Sequence, residues 1–209
     1  VMSIFNQGPH AFFTLKGNNV NEMKDVRGKR IATSPFTASN VFLPLVLSDM
    51  GMSESDIRLT RADPGALGPM LMTGATDVII AWMTDVSRYT NQAAEAKREI
   101  VVMPWSTQGL NLYSASLVAS EKFLKERPAV ARRFIAAYKK SMEFAFTNQA
   151  ETVTAVTSVV PELKPADVAG QLKDMLVLMH NDVSKRDGLG ALEPKRLAET
   201  WVRTAASLK

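Results

Sequence analysis

The residues best suited to holding a ligand fall in two short stretches. Ser34, Thr37, Ala38 and Ser39, with Asn40 beside them, lie where the β-branched run Arg30 to Thr33 passes into an apolar segment of helical length. Hydroxyls and the free amides of a helix's first turn can hold a sulfonate, carboxylate or phosphate oxygen. The same residue types also make ordinary helix caps, so capping by Thr37 or Ser39 is the competing reading. Trp82 and Asp85 form the second stretch, at the end of the apolar run Asp77 to Trp82. Trp82 offers a face to a flat or apolar ligand, and Asp85 an acceptor for an amine or a ring N–H. Against that, Trp82 could pack a core and Asp85 could cap the next helix. A carboxylate disfavours an anionic ligand, so the two stretches favour opposite ligand charges.

Asn6 and Gln7 add side-chain amides near the start of the chain, and Tyr113 adds a hydroxyl within the last strand-like run. His10 reads as a structural histidine, and His180 as a residue placed near a helix end to suit the helix dipole. Other chemistries find no support. The chain has no cysteine and two histidines, so thiolate catalysis and cysteine-held metals are excluded and no metal-binding spacing stands out. The eleven methionines are scattered over core-like positions. Neither a Gly-x-x-x-x-Gly-Lys-Ser phosphate loop nor a Gly-x-Ser-x-Gly nucleophile frame occurs. The expectation is a chain with no catalytic residue, no cofactor and no metal.

The elements that must position these residues alternate. Val1 to Phe5 and His10 to Leu15 read as extended, with Asn6-Gln7-Gly8-Pro9 as a break. Strands are expected at Val26 to Thr33, Asp56 to Arg61, Asp77 to Trp82, Glu99 to Met103 and Leu112 to Val118. Helices are expected up to Met50, from Pro64 to Thr73 and from Ser87 to Lys97. Gly51 suits a left-handed C-terminal cap. Pro44 predicts that the first helix starts late or kinks there. The unbroken apolar run 77–82 suggests a parallel strand covered on both faces. Beyond residue 119 the pattern turns helical: Pro128 to Thr147, Ala150 to Val159, Pro165 to Met179 and Pro194 to Leu208, with Lys185 to Gly190 as a turn.

The 209 residues carry 25 basic and 21 acidic side chains, a net charge of +4, with 46% hydrophobic and 22% charged residues. That composition suits a globular chain with a real core. The basic pairs Arg132-Arg133 and Lys139-Lys140 sit in one expected helix and read as a solvated face. No aromatics are interleaved with them as a nucleic-acid stacking platform requires, so no nucleic-acid partner is expected. No apolar run approaches the ~18–20 residues of a membrane span, and Val1-Met2-Ser3-Ile4-Phe5 does not read as a signal sequence.

The order Asp25-Val-Arg-Gly-Lys-Arg-Ile31, the Ser/Thr loop, Leu47-Ser-Asp-Met-Gly-Met52 and Gly74-Ala-Thr-Asp-Val-Ile-Ile-Ala-Trp82 resembles the substrate-binding proteins of ABC importers. The branch it resembles is the NMT1/THI5-like group, whose members bind aliphatic sulfonates, nitrate-type anions and pyrimidine precursors of thiamine. Leu112-Tyr-Ser-Ala-Ser-Leu-Val-Ala-Ser120, Phe123 and Pro128-Ala-Val-Ala-Arg-Arg-Phe-Ile-Ala-Ala-Tyr138 extend the resemblance to the group's return strand and following helix.

The resemblance implies an α/β fold of the type II periplasmic-binding-protein kind, with two lobes joined by two crossings. Residues 1–16 would be the first crossing and a first-lobe strand, and 17–111 a complete α/β lobe. Residues 112–209 would be the return crossing and C-terminal helices. Strands of the other lobe that precede residue 1 in the group are not in this sequence, which suggests a missing N-terminal segment. By resemblance, Asn6, Gln7 and Tyr113 lie near the crossings and face one cleft with Ser34, Thr37, Ala38, Ser39, Trp82 and Asp85. The implied function is capture of a small polar organic molecule or anion for an ABC-type membrane permease, without chemistry. The implied setting is periplasmic or extracellular, and the chain is expected to be a monomer. Two alternatives are a ligand-sensing domain of a regulator and a biosynthetic enzyme of the same superfamily. The enzyme is disfavoured because its cysteine-rich motif is absent.

Overall fold

The computed structural model describes residues 2–207, so the parts of the expected end elements that fall on Val1 and Leu208 lie outside the described residues. Its centre is a five-stranded sheet. The strands in chain order start with a short edge strand elsewhere, β1 (Met2–Ser3), and continue with β2 (His10–Leu15), β3 (Arg30–Thr33), β4 (Arg58–Arg61), β5 (Val78–Trp82), β6 (Ile100–Pro104) and β7 (Ser116–Leu117). The large sheet runs β4-β3-β5-β2-β6, and β1 pairs separately with β7.

β3 is parallel to β4 and β5, but β2 is antiparallel to both β5 and β6. The sheet is therefore mixed. The apolar run of β5 reflects burial on both faces, which an inner strand acquires whatever its neighbours' direction. Alternation does the sorting. Phe12, Val78 and Ile80 enter one core, and Ala11, Phe13, Ile79 and Ala81 enter the other. The ends of β5 and β6 meet the start of β2, with His10 opposite Trp82 and Ala11 opposite Pro104. Asp77 fixes the opposite end: its carboxylate accepts the Arg30 amide at 2.9 Å and the Arg30 guanidinium at 2.7 Å. That hydrogen bond to Arg30 holds the Asp77 carboxyl below the usual carboxylate range.

Helices cover both faces. α1 (Ala38–Asp49) buries Phe42, Leu43, Val46 and Leu47 on the first core. α2 (Leu67–Met72) and α3 (Val86–Glu95) bury Leu67, Leu71, Tyr89 and Ala93 on the second. α1 begins at Ala38, ahead of Pro44, so of the two outcomes expected there, a late start or a kink, the late start does not occur. An interior proline costs a helix about 3 kcal/mol. Four buried apolar side chains, at about 1.5–3 kcal/mol each, outweigh that cost. Gly51 follows at φ +69°, in the left-handed conformation expected of it.

The remainder is helical: α4 (Glu121–Glu126), α5 (Pro128–Thr147), α6 (Gln149–Val159), α7 (Pro165–Met179), α8 (Asp182–Asp187) and α9 (Pro194–Ser207). Two local expectations are corrected. Only Ser116–Leu117 of the run 112–118 is strand. The supposed turn at 185–190 overlaps α8, which Asn181 starts by accepting the amides of Val183 and Ser184. A single capped turn of helix has too few residues for periodicity to reveal. Met2, Phe5, Met142, Leu178 and Met179 form a third core beside β1 and β7. No helix among the described residues is long and apolar enough to cross a membrane.

Candidate functional site

Two cavities lie at the end of the sheet where β5 and β6 stop, the first mainly apolar with a few polar groups and the second more polar. The first, about 190 Å³, is lined by Ser34, Thr37, Ser39, Trp82, Asp85 and Arg88, with Pro64, Leu67, Ile80, Ala81 and Tyr89 as its apolar wall. β3 delivers Ser34, the start of α1 delivers Thr37 and Ser39, and β5 with the turn after it delivers Trp82 and Asp85. The two candidate stretches thus converge because β3 and β5 are hydrogen-bonded neighbours running in the same direction.

The capping alternatives are not what these side chains do. Thr37 occupies the N-cap position of α1 without a side-chain cap bond, and Asp85 occupies that of α3 likewise. The first-turn amides of α1 therefore keep the positive end of the helix dipole unquenched by a side chain. Ala38 is exposed at the head of α1 and does not line the cavity. Phe36, between Ser34 and Thr37, is fully exposed at φ +58°, a conformation unusual for a bulky residue.

Ser39 is the hub of the inner wall. Its hydroxyl accepts the Trp82 indole N–H at 3.3 Å and shares a 2.9 Å hydrogen bond with His10 Nδ1. His10 is buried, with its ring centroid 5.2 Å from that of Phe42 and 5.6 Å from that of Trp105. Burial pushes its pKa down to about 4, so the ring is neutral at neutral pH. Asp85 is a half-buried carboxylate whose pKa is raised by burial and partly restored by Arg88, 3.4 Å away. Arg88 also donates to the Tyr89 hydroxyl at 2.8 Å and lies 4.6 Å over that ring. The pair leaves the cavity with little net charge and with carboxylate oxygens as its strongest acceptors.

The second cavity, about 290 Å³, contains Asn6 and Gln7 together with Ser106, Thr107, Asn111, Asn181, Asp182, Val183 and Arg196. The amides expected to share the cleft with Ser34 and Trp82 thus line separate space. Gln7 Nε2 donates to Ser106 Oγ at 2.7 Å. Arg196 donates Nε to the Asn111 carbonyl at 2.8 Å and a terminal N–H to the Asn6 carbonyl. Its guanidinium lies 4.2 Å over the Tyr113 ring. Tyr113 is buried, and its hydroxyl accepts the Glu193 amide at 2.8 Å, so it ties the chain to the turn before α9 and joins neither cavity. Asn6 Oδ1 is buried and has no partner among the described residues.

Arg88 and Tyr89 were not among the sequence candidates. The spacing of Asp85 and Arg88, three residues apart at a helix start, was the available signal. A larger hollow of about 560 Å³ lies elsewhere, among Phe146, Leu176, Val177 and His180, with an apolar wall. Among the described residues no group of three or more His, Asp or Glu side chains could hold a metal ion.

Comparison with known proteins agrees with this architecture. The family described as NMT1/THI5 like matches residues 1–152. The riboflavin-binding protein RibY of Chloroflexus aurantiacus is 23% identical over 208 residues, covering 98% of this chain and 57% of that protein. The periplasmic aliphatic sulphonate binding protein SsuA of Escherichia coli superposes with a TM-score of 0.72 at 13% identity, covering 97% of this chain and 63% of that one. The alkanesulfonate-binding protein SsuA of Xanthomonas axonopodis gives 0.54 at 16% identity, covering 83% of this chain and 59% of that one. The chain thus spans about three fifths of the length of these relatives, and the two SsuA structures share its mixed α/β fold. With the family match running over more than half of the sequence, the chain belongs to the NMT1/THI5-like family.

Proposed function

We propose that this chain is the solute-capturing part of an ABC-type import system, binding one small organic molecule in the Ser34–Trp82–Asp85 cavity and doing no chemistry on it. The observation that carries the reading is the convergence of an indole, three hydroxyls and a carboxylate at adjacent strand ends, around a volume suited to part of a metabolite. The binding functions in the printed names of RibY and the SsuA proteins support it. A membrane permease is the corresponding partner, and the periplasm or cell exterior the corresponding setting.

For the ligand we favour a flat, uncharged or singly cationic ring bearing N–H groups. Trp82 supplies the stacking face, and Asp85 accepts from the ring edge. The runner-up is a sulfonate seated at the start of α1, favoured by the uncapped amides there. The choice turns on Asp85: with its charge offset by Arg88 it still places carboxylate oxygens, acceptors only, on the cavity wall, where a ring N–H is matched and a sulfonate oxygen is not.

Thermal-shift and calorimetric titration of the chain against heteroaromatic amines, aliphatic sulfonates, aromatic carboxylates and polyamines tests both. Micromolar binding of an N–H-bearing heteroaromatic, weakened by Trp82→Ala, is the expected result. Binding confined to sulfonates moves the assignment to the runner-up. If no panel member binds, the solute-capture reading fails.

A further inference from the structure

A serine hydroxyl has one proton to give and two lone pairs to receive with. Ser39 already accepts from Trp82 Nε1 at 3.3 Å. Its second bond, to His10 Nδ1, runs one way or the other according to which ring nitrogen of His10 carries the proton. If Nδ1 is bare, Ser39 donates to it and retains only a lone pair for the cavity. If Nδ1 carries the proton, Ser39 accepts twice and its own proton is free for a ligand. The tautomer of a buried histidine thus decides what Ser39 can offer.

The far side of the ring indicates which tautomer is present. His10 Nε2 is buried and has no partner among the described residues. The ring borders a small cavity of about 10 Å³ lined by Gly8, His10, Phe42, Leu110, Leu112, Tyr113 and Ser114. That is room for roughly one water. A side chain placed on Gly8 would lie 3.5 Å from the Leu112 carbonyl, 3.8 Å from His10 Cδ2 and 3.9 Å from the Leu110 carbonyl, so the ring edge and both oxygens crowd the same spot. Among the described residues neither carbonyl accepts a backbone hydrogen bond. One water can accept from Nε2–H and donate to both carbonyls, satisfying three groups. With Nε2 bare, that water's two protons must serve three acceptors and one goes without.

We propose that His10 is a positioning residue for specificity: holding its proton on Nε2 against a water shared with the Leu110 and Leu112 carbonyls, it fixes Ser39 as a hydrogen-bond acceptor, so a ligand must meet Ser39 with an N–H or O–H. This rests on the solute-capture reading of the cavity and narrows it, because Ser39 then works in the same sense as Asp85. A sulfonate or carboxylate oxygen would meet a lone pair at both.

The test has two independent arms. Long-range ¹H–¹⁵N correlation spectra of the ¹⁵N-labelled chain at neutral pH report each histidine tautomer, and with two histidines the His10→Gln variant assigns the signals. The Nε2–H pattern for His10 is expected, and the Nδ1–H pattern or an imidazolium overturns the proposal whether or not any ligand binds. The second arm titrates benzamidine and benzoate, of matched size and opposite hydrogen-bonding sense, into the native chain, Ser39→Ala and Ser39→Thr. Benzamidine should bind the tighter of the two, lose about tenfold in Ser39→Ala and recover in Ser39→Thr, which restores the hydroxyl. Equal binding of benzoate, or a Ser39→Ala chain with unchanged preference, overturns the proposal. Failure of both probes alongside an Nε2–H signal removes the ligand role of Ser39 and, with it, the proposal, while leaving solute capture to the wider panel.

Discussion

The two cavities at the end of the central sheet are built in contrasting ways. In the Ser34–Trp82–Asp85 cavity the polar groups come from neighbouring strand ends, and some keep unused capacity: the N-cap position of α1 lacks a side-chain cap, and a half-buried carboxylate faces one arginine. In the Asn6–Arg196 cavity the polar groups bind one another. Arg196 reaches back to the Asn6 carbonyl and across to that of Asn111, and Gln7 reaches Ser106. Polar groups already paired by the fold stabilise it, and polar groups left over can bind something else. The difference is the ground for proposing recognition at the first cavity and a fastening role for the second, where Asn6 Oδ1 is the exception left without a partner among the described residues.

The largest expected effect concerns His10, which stands behind Ser39 of the first cavity. Its pKa is about 4 in the fold and about 6.5 when unfolded, so the unfolded chain binds more protons between those values. The resulting contribution is complete above pH 6.5 and is lost as pH falls to about 4, amounting to ~3 kcal/mol. Urea unfolding at a series of pH values should show this slope, and His10→Gln should flatten it. A slope that His10→Gln leaves unchanged would place the acid sensitivity elsewhere.

Next is Arg196→Met, which keeps the apolar stem but deletes two charge-assisted hydrogen bonds and the contact with the Tyr113 ring. A stability loss of about 2–3 kcal/mol in denaturant unfolding is expected, with ligand affinity unchanged. A matching loss of affinity would break the division of labour between the cavities. Trp82→Ala should act in the opposite sense: affinity falls about tenfold, ~1.4 kcal/mol by calorimetry, and exceeds any change in stability. Gln7→Ala comes last, at about 1 kcal/mol of stability and no change in binding. An affinity loss there would return Gln7 to the recognition site.

Much of the strand and helix order was legible because it rests on local signals: β-branched runs, Pro128 and Pro165 at helix starts, and Gly51 after α1. The convergence of Ser34 with Trp82 was legible for the same reason, since both end strands of one α/β unit. What failed was non-local. Pro44 sits inside α1 because burial against the sheet outweighs its cost, and burial is not a property of the sequence neighbourhood. Asn6 and Gln7 belong to the strand break as expected, yet the Asn6 carbonyl accepts from Arg196, 190 positions away, and Gln7 donates to Ser106, not into the Trp82 cavity.

By its residue types the sequence determined an α/β chain without thiol chemistry, with hydroxyls, an indole and a carboxylate at strand ends. The tertiary structure decided which of those groups have hydrogen-bonding capacity to spare. It turned Tyr113 inward and set His10 against Ser39. Spare capacity depends on what every neighbour has already taken, and neighbours across a sheet are chosen by packing and strand pairing, which no stretch of sequence carries alone.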